Sequence, residues 1–114
     1  MNIKELKRSI DESRSECIPK AIVIINPGNP TGSVLSRQNI EDIIRFAKKE
    51  KLLLIADEVY QHNIWEGEFF SFKKVMNDMN ENIELASVMS ASKGLKFYSN
   101  TLYFNVNLIF NILP

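Results

Sequence analysis

The sequence predicts an α/β fold built on a parallel sheet. Two short, almost wholly apolar runs, AIVIIN at 21–26 and KLLLIA at 51–56, are the kind of segment that forms buried strands. Between them lies a stretch with apolar residues at helical spacing, and the first run ends in a turn, NPGNPTG at 26–32, that no central strand can absorb.

The elements follow in order. Ile3, Leu6 and Ile10 recur at helical spacing among charged neighbours, so residues 2–15 predict an amphipathic helix, ended by Pro19. AIVIIN predicts a strand buried on both faces. In NPGNPTG, Pro27 and Pro30 have no amide hydrogen for a sheet ladder, while Gly28 and Gly32 permit positive φ, so the chain turns. Ser36 predicts a helix N-cap, and Ile40, Ile43, Ile44 and Ala47 share one face of a helix over about 37–50, with Glu41 and Arg45 paired on another. KLLLIA predicts the second strand, which completes a right-handed βαβ unit whose loops gather at the carboxyl ends of the strands, where α/β proteins bind ligands. A loop containing Trp65 precedes a helix near 71–79, and ELASVMS at 84–90 predicts a third strand leading into Ser92, Lys93 and Gly94.

Composition narrows the function classes. At 114 residues, 45% hydrophobic and 25% charged, the chain is within the range of one globular domain. Fourteen basic residues balance fourteen acidic ones, which gives no overall electrostatic case for nucleic acid or an anionic membrane. The single cysteine, Cys17, offers neither an internal disulfide nor a metal cluster. MNIKELKRSIDESR lacks the apolar core of a secretory signal, so the cytoplasm is the default compartment. The apolar carboxyl-terminal run is interrupted by Asn100, Asn105, Asn107 and Asn111 and falls short of the ~20 residues of a membrane helix.

Taken singly, NPGNPTG reads as a turn, Asp57 as a cap, Tyr60 as a core edge and Lys93 as a surface charge. Their combination and order, NPGNPTG, then ADEVYQ at 56–61, then SASKG at 90–94, each just past a predicted strand, resembles the fold-type I pyridoxal phosphate enzymes, specifically the class I and II aminotransferases. The wording INPGNPTG, IRFAKKEKLLLIADEVYQ, FFSFKKV and ELASVMSASKG looks closest to the alanine aminotransferase branch, over about residues 17–94.

The resemblance implies a fragment of the mainly parallel-sheet large domain and a pyridoxal 5'-phosphate cofactor. It makes Lys93 the Schiff-base lysine and the base that moves the substrate proton, and Asp57 the partner of the protonated ring nitrogen. Asn29 and Tyr60 would hydrogen-bond the ring's phenolic oxygen, Ser90 the phosphate, with Ser92 assisting or capping the next turn. The bond before the proline matching Pro30 is often cis in the family. The implied reaction moves an amino group between L-alanine and 2-oxoglutarate, with small amino and 2-oxo acids as partners and a homodimer as the assembly. A non-catalytic cofactor-binding or subunit-pairing product, and a different fold-type I reaction, are the alternatives.

Other candidates are weaker. Asp57 and Glu58 are adjacent and point to opposite sides of an extended segment, so they make no general acid/base pair. His62 reads as a solvated loop histidine, and Trp65, Phe69, Phe70 and Phe72 as loop and core aromatics. No P-loop and no metal site is evident. After Gly94 the match stops: LKFYSNTLYFNVNLIFNILP has no arginine where the family places one on the phosphate. Residues 1–94 therefore read as part of the large domain and 95–114 as a divergent tail, whose alternating LYFNVNLIF is suited to pair with an exposed sheet edge.

Overall fold

A computed structural model describes residues 2–65 and 67–89, together with the backbone of 109–111. Helix α1 (Ile3–Ser13) precedes β1 (Ala21–Ile25), α2 (Arg37–Glu50), β2 (Leu53–Asp57), α3 (Phe72–Asp78), β3 (Leu85–Val88) and β4 (Ile109–Asn111). The strands form one sheet in the order β1-β2-β3-β4. The first three run parallel, with Ile25 beside Asp57 and Asp57 beside Val88 at their carboxyl ends. The α/β class and parallel sheet predicted from the sequence are those observed.

β4 pairs antiparallel with β3, Ile109 opposite Ser87 and Asn111 opposite Leu85, so part of the tail does add a strand at that edge. The rest of the tail lies outside the described residues.

Helix α2 forms where the sequence places it. Ser36 Oγ accepts the Asn39 N–H at 3.2 Å, and Ile40, Ile43, Ile44, Phe46 and Ala47 are buried along one face. The exposed side carries the Arg45–Glu41 pair at 3.3 Å, a contact of small energetic weight. Ser36→Ala removes the cap and is expected to cost about 1 kcal/mol. Chemical denaturation checks it; an unchanged midpoint would mean that water serves the freed N–H groups equally well.

The second strand starts at Leu53, two residues later than the apolar run suggests. Lys51 takes a left-handed conformation, φ 54°, as the C-cap of α2, and the Leu52 N–H donates to the Ala47 carbonyl at 2.9 Å. The helix end thus claims the first two residues of KLLLIA. Likewise α1 stops at Ser13, well before Pro19, in a turn over 14–16.

The core lies on one side of the sheet. Ile24, Leu54, Ala56 and Leu85 pack with α2 and with Phe72, Val75 and Met76 of α3, while Ile3, Leu6 and Ile10 of α1 lie half-buried against the same cluster. The expectation that β1 is buried on both faces is not met. Val23 and Ile25 point the other way and are 59% and 47% exposed. The cause is placement: all three helices contribute to a single cluster on one face, so among the described residues nothing covers the alternate positions of β1.

Candidate functional site

The loops that follow β1 and β2 leave the sheet side by side at its carboxyl end. The Asn26 N–H donates to the Asp57 carbonyl and the Glu58 N–H to the Val88 carbonyl, both at 2.9 Å, so the ladder continues one step beyond each strand. These bonds fix where the two loops begin.

The first loop folds on itself. The Gly28 N–H donates to the Ser33 carbonyl at 2.9 Å and the Gly32 N–H to the Gly28 carbonyl at 2.7 Å. The bonds before Pro27 and Pro30 are both cis. Gly32, at φ 68°, needs the left-handed region that glycine enters freely. At Gly28 the requirement is space: a Cβ would stand 3.0 Å from Ser33 Oγ and 3.1 Å from Thr31 Oγ1, two hydroxyls that are themselves 2.9 Å apart. The turn carries Asn29 at its exposed tip.

The second loop brings Tyr60 to meet it. Asn29 Nδ2 and Tyr60 Oη are 3.5 Å apart, across 31 positions of sequence. Asp57, at the end of β2, is half-buried, and its Oδ1 accepts the Val59 N–H at 3.3 Å. An amide and a phenol thus meet near the strand end that carries Asp57, which puts two groups able to donate and one carboxylate able to accept at the same end of the sheet. Lys93, Ser90 and Ser92, the other predicted site residues, lie outside the described residues. His62 is exposed, and among the described residues no group of three or more His, Cys, Asp or Glu is placed to hold a metal ion.

Beneath this surface sits a residue that the sequence reading set aside. Glu58 is 2% exposed, and both its oxygens are engaged: Oε1 accepts the Phe72 N–H at 2.8 Å and Oε2 accepts from Ser87 Oγ at 2.7 Å. Asp57 and Glu58 do point to opposite sides, and Glu58 falls on the side of Leu54 and Ala56. That parity was the available signal, since it puts a charge at a core position. Asn26 is its counterpart after β1, fully buried, with Oδ1 accepting the Leu35 N–H at 2.9 Å. Its Nδ2 has no partner among the described groups, a donor that a buried water would satisfy.

Burial pushes the Glu58 carboxyl above its ordinary value, and the bonds from Ser87 and Phe72 offset this only in part. The folded protein therefore holds that proton more firmly than the unfolded chain. The resulting stability is fully present below the unfolded carboxyl's range and is lost as pH rises through the folded value. Melting temperatures between about pH 4 and pH 7 should accordingly fall in the wild type relative to Glu58→Gln, which has no such proton to lose. Parallel curves would contradict this.

Comparison with known proteins decides the family. The family model "Aminotransferase class I and II" matches residues 1–102. The chain belongs to the class I and II aminotransferases. It is 55% identical over 100 residues to alanine aminotransferase 2 of Xenopus tropicalis, covering 82% of this chain and 19% of that one. To the mitochondrial alanine aminotransferase 2 of Arabidopsis thaliana it is 47% identical, over 82% of this chain and 18% of the relative. Among solved structures, alanine aminotransferase from Pyrococcus furiosus superposes with a TM-score of 0.58 at 29% identity, over 73% of this chain and 21% of that one. The chain thus spans about a fifth of the length of these aminotransferases.

Membership implies pyridoxal phosphate as cofactor, and the residues in place fit its ring: the Asp57 carboxylate would serve a protonated nitrogen, and the Asn29 amide with the Tyr60 phenol a ring oxygen. Among the described residues no helix is long and apolar enough to cross a membrane.

Proposed function

We propose that this chain supplies the ring-binding part of a pyridoxal phosphate-dependent transaminase that moves an amino group between L-alanine and 2-oxoglutarate, giving pyruvate and L-glutamate. The observation that carries the reading is the meeting of Asn29 and Tyr60 beside Asp57 at the carboxyl end of the parallel strands. The alanine aminotransferase relatives supply the substrate pair.

When bound, the cofactor draws electrons away from the substrate carbon that bears the amino group. The chain's residues do the rest. The Asp57 carboxylate holds the ring nitrogen in its protonated form, and Asn29 Nδ2 and Tyr60 Oη donate to the ring oxygen and fix the ring plane. Ser90 would hold the phosphate, with Ser92 assisting or capping the next turn. Lys93 Nζ would be the group that holds the cofactor and would take the proton from the substrate carbon. Residues 1–94 act as part of the large, cofactor-binding domain, with 95–114 as a divergent tail. The partners are small amino and 2-oxo acids and a second copy of the subunit, with no nucleic acid or membrane, in the cytoplasm.

A second reading is cofactor binding, or pairing with a full-length subunit, without turnover. It is favoured by the lack of any arginine in residues 95–114, which leaves this segment without a bidentate guanidinium contact to offer a phosphate. One experiment separates them. Purified chain is mixed with pyridoxal phosphate, fixed with borohydride and mapped for a modified Lys93, then supplied with L-alanine and 2-oxoglutarate. Modification with pyruvate formation supports transamination, modification alone supports cofactor binding without turnover, and the lack of both rejects these two and leaves subunit pairing.

A further inference from the structure

The two loops that carry the site are closed in the same way. Asn26 directly follows β1 and Glu58 directly follows β2, and both side chains are buried. Asn26 takes the N–H of Leu35, the residue before the N-cap Ser36 of α2. Glu58 takes the N–H of Phe72, the residue after the N-cap Ser71 of α3. Each side chain at a strand exit thus holds the start of the next helix, and the loop between leaves from and returns to fixed points. Asn29 rides on the first loop and Tyr60 on the second.

Glu58 does more than its counterpart, because its second oxygen also accepts from Ser87 on β3. Three elements, the β2 exit, α3 and β3, therefore meet at one carboxylate. A carboxylate suits this place: the Phe72 N–H can only donate and the Ser87 hydroxyl donates at 2.7 Å, and the two oxygens serve both at once. Without them a buried N–H and a buried hydroxyl would be left unpaired, and the start of α3, to which the loop returns, would lose its tie to the strand exit.

We propose that Glu58, with Asn26 as its counterpart, is a positioning residue that sets where Tyr60 stands relative to Asn29. It acts through the loop and does not itself touch the cofactor. The role rests on the cofactor-binding reading above, but its geometric half is testable without cofactor.

The test compares wild type, E58Q and E58A in the full chain. Glutamine accepts from Phe72 with its oxygen and donates to a turned Ser87 hydroxyl with its nitrogen, so it keeps both links and drops the charge. Alanine keeps neither. Two readouts are taken: the dissociation constant for pyridoxal phosphate, and the nuclear Overhauser contact between the Asn29 side-chain amide and the Tyr60 ring. E58A is expected to lose the contact and to bind about tenfold more weakly, while E58Q keeps the contact and binds within about threefold of wild type.

Unchanged contact and affinity in E58A would overturn the proposal, as would E58Q binding as poorly as E58A with the contact intact. A wild type that binds no pyridoxal phosphate would reject the cofactor reading, while the Overhauser contact still decides the positioning. If E58A does not fold, S87A removes one of the two links. A weakened contact there supports the role and an unaltered one overturns it.

Discussion

Lys93→Ala is expected to abolish covalent capture of pyridoxal phosphate. On the proposed reading, the side-chain amine at position 93 condenses with the cofactor aldehyde, with loss of water, and a methyl group cannot replace it. The effect is all or none, because no rearrangement of neighbours creates a nucleophile at that position. Lysines elsewhere, such as Lys4, Lys7 and Lys74, are exposed and offer slow, unselective reaction at high cofactor concentration. Peptide mapping after borohydride at low cofactor concentration therefore reads the site directly. The wild type should carry the label at Lys93 and the variant should carry none. Equal labelling of some other lysine in both proteins would remove Lys93 from its assigned place.

Asp57→Ala should give the next largest loss. The carboxylate's bond to the Val59 N–H lies within its own turn, and the backbone of Asp57 is held independently by the Asn26 N–H. Removing the side chain thus leaves the strand pairing in place, and the change in stability should be small. A hydrogen bond to a charged group contributes about 1.5–3 kcal/mol, which translates to about ten- to 150-fold in the dissociation constant for pyridoxal phosphate. Asp57→Asn keeps a polar group of the same shape without the charge and should fall between the two. Titration by cofactor absorbance, with circular dichroism as the folding control, checks both. Wild-type affinity in Asp57→Ala would mean that this carboxylate does not meet the ring.

Much of this architecture was legible in the chain's local chemistry. Ser36 and the spacing of Ile40, Ile43, Ile44 and Ala47 specify α2 to its ends, since capping and helical periodicity are properties of a few consecutive residues. NPGNPTG and ADEVYQ, each past a strand, pointed to one end of a parallel sheet, because strand direction alone decides where each loop emerges. The boundary at Leu53 was less legible. An apolar run does not reveal that a neighbouring helix needs its first two residues to terminate, with Lys51 in the left-handed region.

By itself, the sequence determined the order of elements, the class of fold and the identity of the chemical groups offered at the strand ends. Each of these follows from short-range pattern. Only the tertiary structure decided which face of β1 is covered, since Ile24 and Ile25 are equally apolar and differ only in which side the helices occupy. It also decided that Asn29 and Tyr60 meet and that Glu58 ties three elements together. Such contacts join positions far apart in the chain, and they depend on which strand lies beside which, a pairing that the pattern of one segment alone does not encode.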